Sequence, residues 1–215
     1  VLECLGRHMP VFDRSIDLVS VSHPDLDHYE GLIEVLKRYR VTTCHLPHII
    51  SNSTAYSRLL SEMYHRCNIV FPAAGDILTG QGYIMSFLWP EANKTHFLTV
   101  NEDDRNSHSL VFLLTVGTTT VLFTGDATSE VLDALPLSEN TDVDILKIPH
   151  HGARDGITSD FLVRTQPSVA VISVGESNSY GHPHEEVLKK IVRLQLPVRR
   201  TDMEGDIGFG IGITD

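Results

Sequence analysis

Ile16-Asp17-Leu18-Val19-Ser20-Val21-Ser22-His23-Pro24-Asp25-Leu26-Asp27-His28 is the stretch on which the fold turns. A run of strand type, Ile16 to Val21, stops at a polar cluster. The cluster leads directly into a pattern of helical spacing, with apolar positions at Leu32, Ile33, Val35 and Leu36, which predicts a helix over 27–39. Pro24 favours extended backbone at His23, and in extended backbone residues two apart point the same way. His23 and Asp25 therefore face one spot. Asp27 and His28 fall at the helix start, where the helix dipole favours an acidic side chain. Four potential metal donors within six residues is a specific pattern. A solvated loop with a capping Asp is the plainer explanation, and the rest of the chain has to decide against it.

Three further clusters follow apolar strands in the same way. Val121-Leu122-Phe123-Thr124 ends at Gly125-Asp126, where an Asp alone often means no more than a helix cap. Asp144-Ile145-Leu146-Lys147-Ile148 ends at Pro149-His150-His151-Gly152, a sequence suited to a tight turn that presents imidazoles. Val169 to Val174 is followed by Tyr180-Gly181-His182-Pro183-His184. Any one of these reads equally well as surface histidines or a cap. Their shared place at strand ends is what carries weight, because ligand sites in open α/β sheets gather at the carboxyl ends of strands.

Between the clusters, short β-branched runs alternate with helical stretches, the pattern of an α/β protein. Further helices are expected over 53–66, 129–134, 159–164 and 185–194, and further strands over 68–71, 83–89 and 110–116, with a hairpin turn at 117–119. Residues 90–107 read as one long irregular loop. The Gly-rich stretch 205–212 reads as a closing edge strand; its glycines do not open a helix after a strand, so it is no phosphate-binding loop.

The chain has 215 residues, enough for one well-buried domain, here taken as 1–215. Seventeen Lys and Arg stand against 28 Asp and Glu, a net charge of -11. That balance counts against a protein gripping nucleic acid chiefly by backbone charge, but not against a site engaging one phosphate. No apolar run approaches the ~20 residues of a membrane span, and residues 1–8 lack the layout of a signal peptide. The three cysteines, Cys4, Cys44 and Cys67, form no CxxC pair and are odd in number, so they read as ordinary buried thiols rather than a disulfide framework.

The motifs SHPDLDH, NSHSLV, LFTGD, DILKIPHHG, VISVG, YGHPHEEVL and RTDMEGDIGF, in this order from about Ile16 to Phe209, resemble the metallo-β-lactamase domain at the C-terminus of ComEC-type competence proteins, and of standalone relatives. The resemblance implies a four-layer αββα sandwich with a site at one edge, holding two divalent ions, zinc before manganese. It places His23, Asp25, Asp27 and His28 at the first metal motif and makes Asp126 the bridging carboxylate. It makes one of His150 and His151 a further ligand without choosing between them; with His150 given to the metal, His151 is left for acid–base work. His182 falls where a late catalytic or ligating histidine stands, and His184 beside it where the fold contacts substrate. Asn106 lies where many relatives carry a metal histidine, and is taken here as a substrate contact. Asp25 replaces a more usual His, as is typical of the ComEC branch, so the site is richer in oxygen. The strands with a DxGQGD-type motif that usually start this domain are not found, so the chain reads as N-terminally shortened.

The expected activity is metal-dependent hydrolysis of a phosphodiester, DNA in competence-type uptake being the leading substrate. Asp27 would orient the attacking water, and His151 or His182 would serve the phosphate oxygens or the leaving group. Two alternatives stand beside it: hydrolysis of a small ester or phosphoester, which the acidic charge favours, and a binding module with a degenerate site. The partner implied for a full-length protein is a membrane channel domain, which puts this domain on the outer side of a membrane. A standalone protein would be cytoplasmic.

Overall fold

The computed structural model describes residues 1–92, 97–101, 104–138 and 141–210. A short helix α1 (Leu2–His8) precedes β1 (Ser15–Ser20), α2 (Leu26–Arg38), β2 (Arg40–His45), β3 (Ile49–Ser51), α3 (Thr54–Tyr64) and β4 (Asn68–Val70). Then come β5 (Ile77–Gly80), β6 (Tyr83–Trp89), β7 (Leu98–Val100), β8 (Val111–Val116), β9 (Thr119–Phe123) and α4 (Ser129–Ala134). The last part holds β10 (Ile145–Lys147), α5 (Ser159–Thr165), β11 (Val169–Ile172), α6 (Glu185–Arg193), β12 (Val198–Arg200) and α7 (Thr201–Glu204).

The strands form a parallel sheet in the order β1-β2-β4, a mixed sheet in the order β12-β11-β10-β9-β8-β6-β5, and a β3-β7 pair. Each of the two larger sheets is closed by helices on one face. On the smaller sheet, Tyr29, Leu32, Val35 and Leu36 of α2 and Tyr56, Leu59 and Met63 of α3 pack with Val41 and Cys44. Their spacing is that of one apolar helical stripe. On the larger sheet, Val131 and Leu132 of α4, Phe161 and Leu162 of α5, and Val187 and Ile191 of α6 cover Leu122, Leu146, Ala170 and Ile172. The strand pleat sends the neighbours of those residues the other way. Phe112, Leu114, Val121, Phe123, Ile145, Lys147 and Val171 thus line a cavity of about 610 Å³, whose other wall includes Ser20, Ser22 and His28. The layers run helix, sheet, sheet, helix, as the αββα expectation requires.

Strands β9, β10 and β11 are parallel, joined by helical crossovers, and β1 enters α2 in the same sense. All four strand-end clusters consequently lie at carboxyl ends of parallel strands.

The structure departs from the sequence reading in several places. Cys44 and Cys67 form a disulfide and only Cys4 is a free, exposed thiol among the described residues. The expectation of ordinary thiols fails because β2 and β4 are sheet neighbours, with Cys44 opposite Ile69; that adjacency has no trace in linear spacing. The supposed loop 90–107 contains β7, which pairs with β3, and a 3-10 turn at Asn106–His108; residues 93–96, 102 and 103 lie outside the described residues. The stretch 205–210 forms no strand, since α7 ends at Glu204 and the following backbone is irregular. Ile211 and Gly212 of that expected strand lie outside the described residues. No described helix is long and apolar enough to cross a membrane.

Candidate metal centre

Helix α2 begins at Asp25, whose backbone is extended (φ -96°, ψ 142°) but whose side chain does not cap the helix. The carboxylate is engaged elsewhere. Its Oδ1 accepts a 2.8 Å hydrogen bond from Arg105, and its Oδ2 lies 3.5 Å from His23 Nε2. Burial pushes the Asp25 carboxyl up, but the His23 ring and the Arg105 guanidinium outweigh it and hold the group at about 2.

His23 is fully buried, and its Nε2 makes no hydrogen bond although Asp126 Oδ2 is 3.9 Å away. His28 Nε2 lies 3.2 Å from Asp126 Oδ2, 3.2 Å from His151 Nε2 and 3.6 Å from Asp27 Oδ2. His151 Nε2 lies 3.1 Å from Asp27 Oδ2 and 3.4 Å from Asp126 Oδ2. Two overlapping donor groups result, His23–His28–Asp126 and Asp27–His28–His151. Donors bound to one tetrahedral ion at 2.0–2.1 Å would be about 3.3 Å apart, close to these separations.

The outer partners fix which atoms face inward. His151 Nδ1 donates a 2.7 Å hydrogen bond to the Ser173 carbonyl, which can only accept. With Nδ1 committed, the Nε2 of His151 is the ring atom left to face His28 and two carboxylate oxygens, the place from which an imidazole binds a cation. Ser22 Oγ lies 3.1 Å from Nδ1 of both His23 and His28. If both Nδ1 atoms donate to this hydroxyl, both Nε2 lone pairs turn toward Asp126. Such outer hydrogen bonds are what orient metal-binding imidazoles. Asp126 is buried, its N–H donates to Ser109 Oγ, and its Oδ1 has no hydrogen bond. Unpartnered buried atoms on His23 and Asp126 are costly unless something binds them, so the residues present fit a divalent ion.

The backbone is shaped for the purpose. Gly125 has φ +54°, and a Cβ there would lie 2.9 Å from the Cβ atoms of both Ser22 and Ser109. His150 and His151 both adopt left-handed conformations (φ 47° and 53°). Two consecutive non-glycine residues in that region are strained, and such strain collects at functional sites. Gly152 (φ +82°) closes the turn against Pro183, which a Cβ would approach to 2.6 Å.

The sequence-predicted residues divide accordingly. His23, Asp25, Asp27, His28, Asp126 and His151 converge. His150 is in neither donor group: the turn sends its ring toward Asn106, with Nδ1 3.4 Å from Asn106 Nδ2. The geometry thus puts His151 in the inward place that the sequence leaves open between the two, and His150, counted there among the metal ligands, stands outside both donor groups. Burial holds the His150 imidazole below its ordinary pKa, and burial with the neighbouring His150 and His184 does the same for His182. His182 stacks parallel to His151 at 6.3 Å, and His184 is one ring further out, 5.1 Å from His182. Asn106 touches His150 rather than the donor groups.

Sequence reasoning missed Ser22, Ser173, Arg105 and Lys147. Lys147 Nζ donates to the carbonyls of Gly125 (2.7 Å) and Ile148 (3.2 Å) and lies 3.6 Å from Asp126 Oδ1. Burial pushes this lysine below its usual range, while Asp126 acts to raise it. Burial would raise the Asp126 carboxyl, but His28, Lys147 and His23 hold it far below the usual carboxylate range. A lone lysine inside the apolar run Asp144 to Ile148 was the available signal.

Two covered sheets, with a histidine and carboxylate cluster at the ends of their parallel strands, define the class. The chain belongs to the metallo-beta-lactamase superfamily, whose model matches residues 11–176. Its members are typically metal-dependent hydrolases. Among curated proteins it is similar to ComE operon protein 3 of Bacillus subtilis, 29% identical over 91% of this chain and 25% of that protein. It is also similar to Recombination protein 2 of Haemophilus influenzae, 30% identical over 96% of this chain and 23% of that protein. The chain spans about a quarter of the length of these relatives. Among solved structures, the metallo-beta-lactamase fold protein YhfI from Bacillus subtilis superposes with a TM-score of 0.60 at 13% identity, over 93% of this chain and 79% of that one. That likeness concerns the fold alone.

Proposed function

We propose that residues 1–215 form one catalytic domain, a metal-dependent phosphodiesterase that cleaves DNA. The observation that carries the metal-centred reading is His151: its Nδ1 is committed to Ser173, and its Nε2 faces Asp27, His28 and Asp126 at 3.1–3.4 Å. Two divalent ions, zinc before manganese, would be held by His23, Asp25, Asp27, His28, Asp126 and His151. Bound there, they would supply an acidified water and charge stabilisation at phosphorus.

The chain's own groups do the rest. Asp27 is the exposed carboxylate of the cluster and orients the attacking water by accepting its hydrogen bond. His182 and His184 stand outside the donor groups, within reach of a substrate approaching the strand ends. They donate hydrogen bonds to non-bridging oxygens, and His182 passes a proton to the leaving oxygen. Asn106 holds His150 in place and offers an unpartnered Oδ1.

DNA is favoured as substrate by the resemblance of the motifs from SHPDLDH to RTDMEGDIGF to ComEC-type competence domains. The net charge of -11 favours the second reading, a small ester or phosphoester. Metal-loaded protein incubated with single-stranded DNA and with bis-p-nitrophenyl phosphate separates them. Cleavage of both is expected. Cleavage of neither, with metal shown to be bound, contradicts the phosphodiesterase reading.

A domain attached to a membrane channel, on the outer side of the membrane, is what the same resemblance implies, and relatives about four times as long as this chain have room for such a channel. The Cys44–Cys67 disulfide adds support, since such bonds persist chiefly in oxidising compartments.

A further inference from the structure

A separate set of metal-type donors lies where the first helix meets the stretch after α7. Cys4 and His8 are four residues apart on α1 and so share one helical face. Asp206 reaches the same place from the other end of the sequence. One donor atom from each residue, the Cys4 sulfur included, lies within 4.8 Å of the other two. His8 Nε2 is 3.3 Å from Asp206 Oδ2.

The carboxylate is held in position rather than free. Arg7 donates to Asp206 Oδ2 through Nε (3.0 Å) and Nη2 (2.7 Å), while its Nη1 bonds Glu3 at 2.7 Å. This is the outer hydrogen bonding that ligating carboxylates ordinarily carry. It also sets the local charge. Glu3 offsets Arg7, leaving the charge of Asp206, to which a Cys4 thiolate would add a second negative charge. His8 contributes a neutral nitrogen.

We propose that Cys4, His8 and Asp206 form a second, exposed site for a thiophilic divalent cation of the zinc type. Thiolate, imidazole and carboxylate are the protein donors zinc takes, and a local charge of two negatives matches a dication. Water completes the coordination. His8 Nε2 and Asp206 Oδ2 already stand at the separation of a zinc site, and rotation of the exposed Cys4 side chain brings its sulfur, within 4.8 Å of both, into coordination. The bound ion ties α1 to the segment after α7, joining chain positions about 200 residues apart. Closing so long a loop adds stability only in the folded state.

The site does not depend on the strand-end centre, and cobalt distinguishes the two. Cys44 and Cys67 are bonded to each other, and the strand-end donor groups contain no sulfur. A thiolate-to-cobalt charge-transfer band therefore reports Cys4 alone. Titrating the thiol-protected, metal-free chain with Co²⁺ is expected to raise this near-ultraviolet band to a plateau, reached once the strand-end centre has also taken its cobalt. Cys4→Ser is expected to abolish it, His8→Gln to weaken it at least several-fold, and added Zn²⁺ to bleach it. Both side chains are exposed, so the variants keep the fold, which circular dichroism checks. Absence of the band at saturating cobalt, or its survival in Cys4→Ser, overturns the proposal.

Discussion

Lys147 Nζ sits 3.6 Å from the unbonded Oδ1 of Asp126, whose Oδ2 faces His23, His28 and His151, and it also donates to the carbonyls of Gly125 and Ile148. A cation is thus built into the strand end that presents the buried acid. Its role is to keep Asp126 ionised and to fix the turn that aims it.

Lys147→Met removes that charge, the shortest hydrogen bond to the Gly125 carbonyl and the nearby ammonium of a buried carboxylate. Breaking one side of a buried pair costs about 3 kcal/mol. Urea unfolding of the metal-free variant should show a loss of this size. Saturating divalent metal should recover part of it, because an ion at the site replaces the missing countercharge. Unchanged stability would mean that Lys147 is not coupled to Asp126.

Ser22 Oγ stands within hydrogen-bond distance of two imidazoles at once, and neither ring has another partner for its Nδ1 among those described. Ser22→Ala is expected to weaken metal binding about 10- to 100-fold, the usual effect of losing an outer partner. Isothermal titration with Zn²⁺ measures it, and the metal-free fold should be little changed. Wild-type affinity in the variant would show that the hydroxyl does not orient the rings.

The site was legible where chemistry lies close in sequence. The run His23 to His28, Asp126 after its strand and the PHHG turn all stand at strand ends, and an apolar run followed by polar residues is a local signal. What was not legible depends on contacts distant in sequence. Nothing in Pro149 to Gly152 says which histidine turns inward; the left-handed backbone at both residues and the Ser173 carbonyl, 22 positions on, decide it. The β3–β7 pair was missed because each strand is three residues long and neither shows a period of its own.

The Cys44–Cys67 bond depends on the same kind of contact, since it joins the central strand β2 to the residue that precedes the neighbouring β4. Thiol titration of the denatured chain should count one reactive thiol before reduction and three after it. Replacing both cysteines by Ala should lower unfolding stability by about 3 kcal/mol, the loop-closure value for a span of this length, and leave metal content unchanged. Three thiols without reductant would exclude the bond.

The central claim is that the strand ends hold metal. Its most direct test is the divalent metal content of the purified, dialysed Cys4→Ser chain, a background that leaves the exposed site out of the count. About two ions per chain are predicted. His28→Ala should lose at least one of them, because the His28 Nε2 faces both strand-end donor groups. Well under one ion per chain in the Cys4→Ser protein, after incubation with zinc or manganese, would contradict the account.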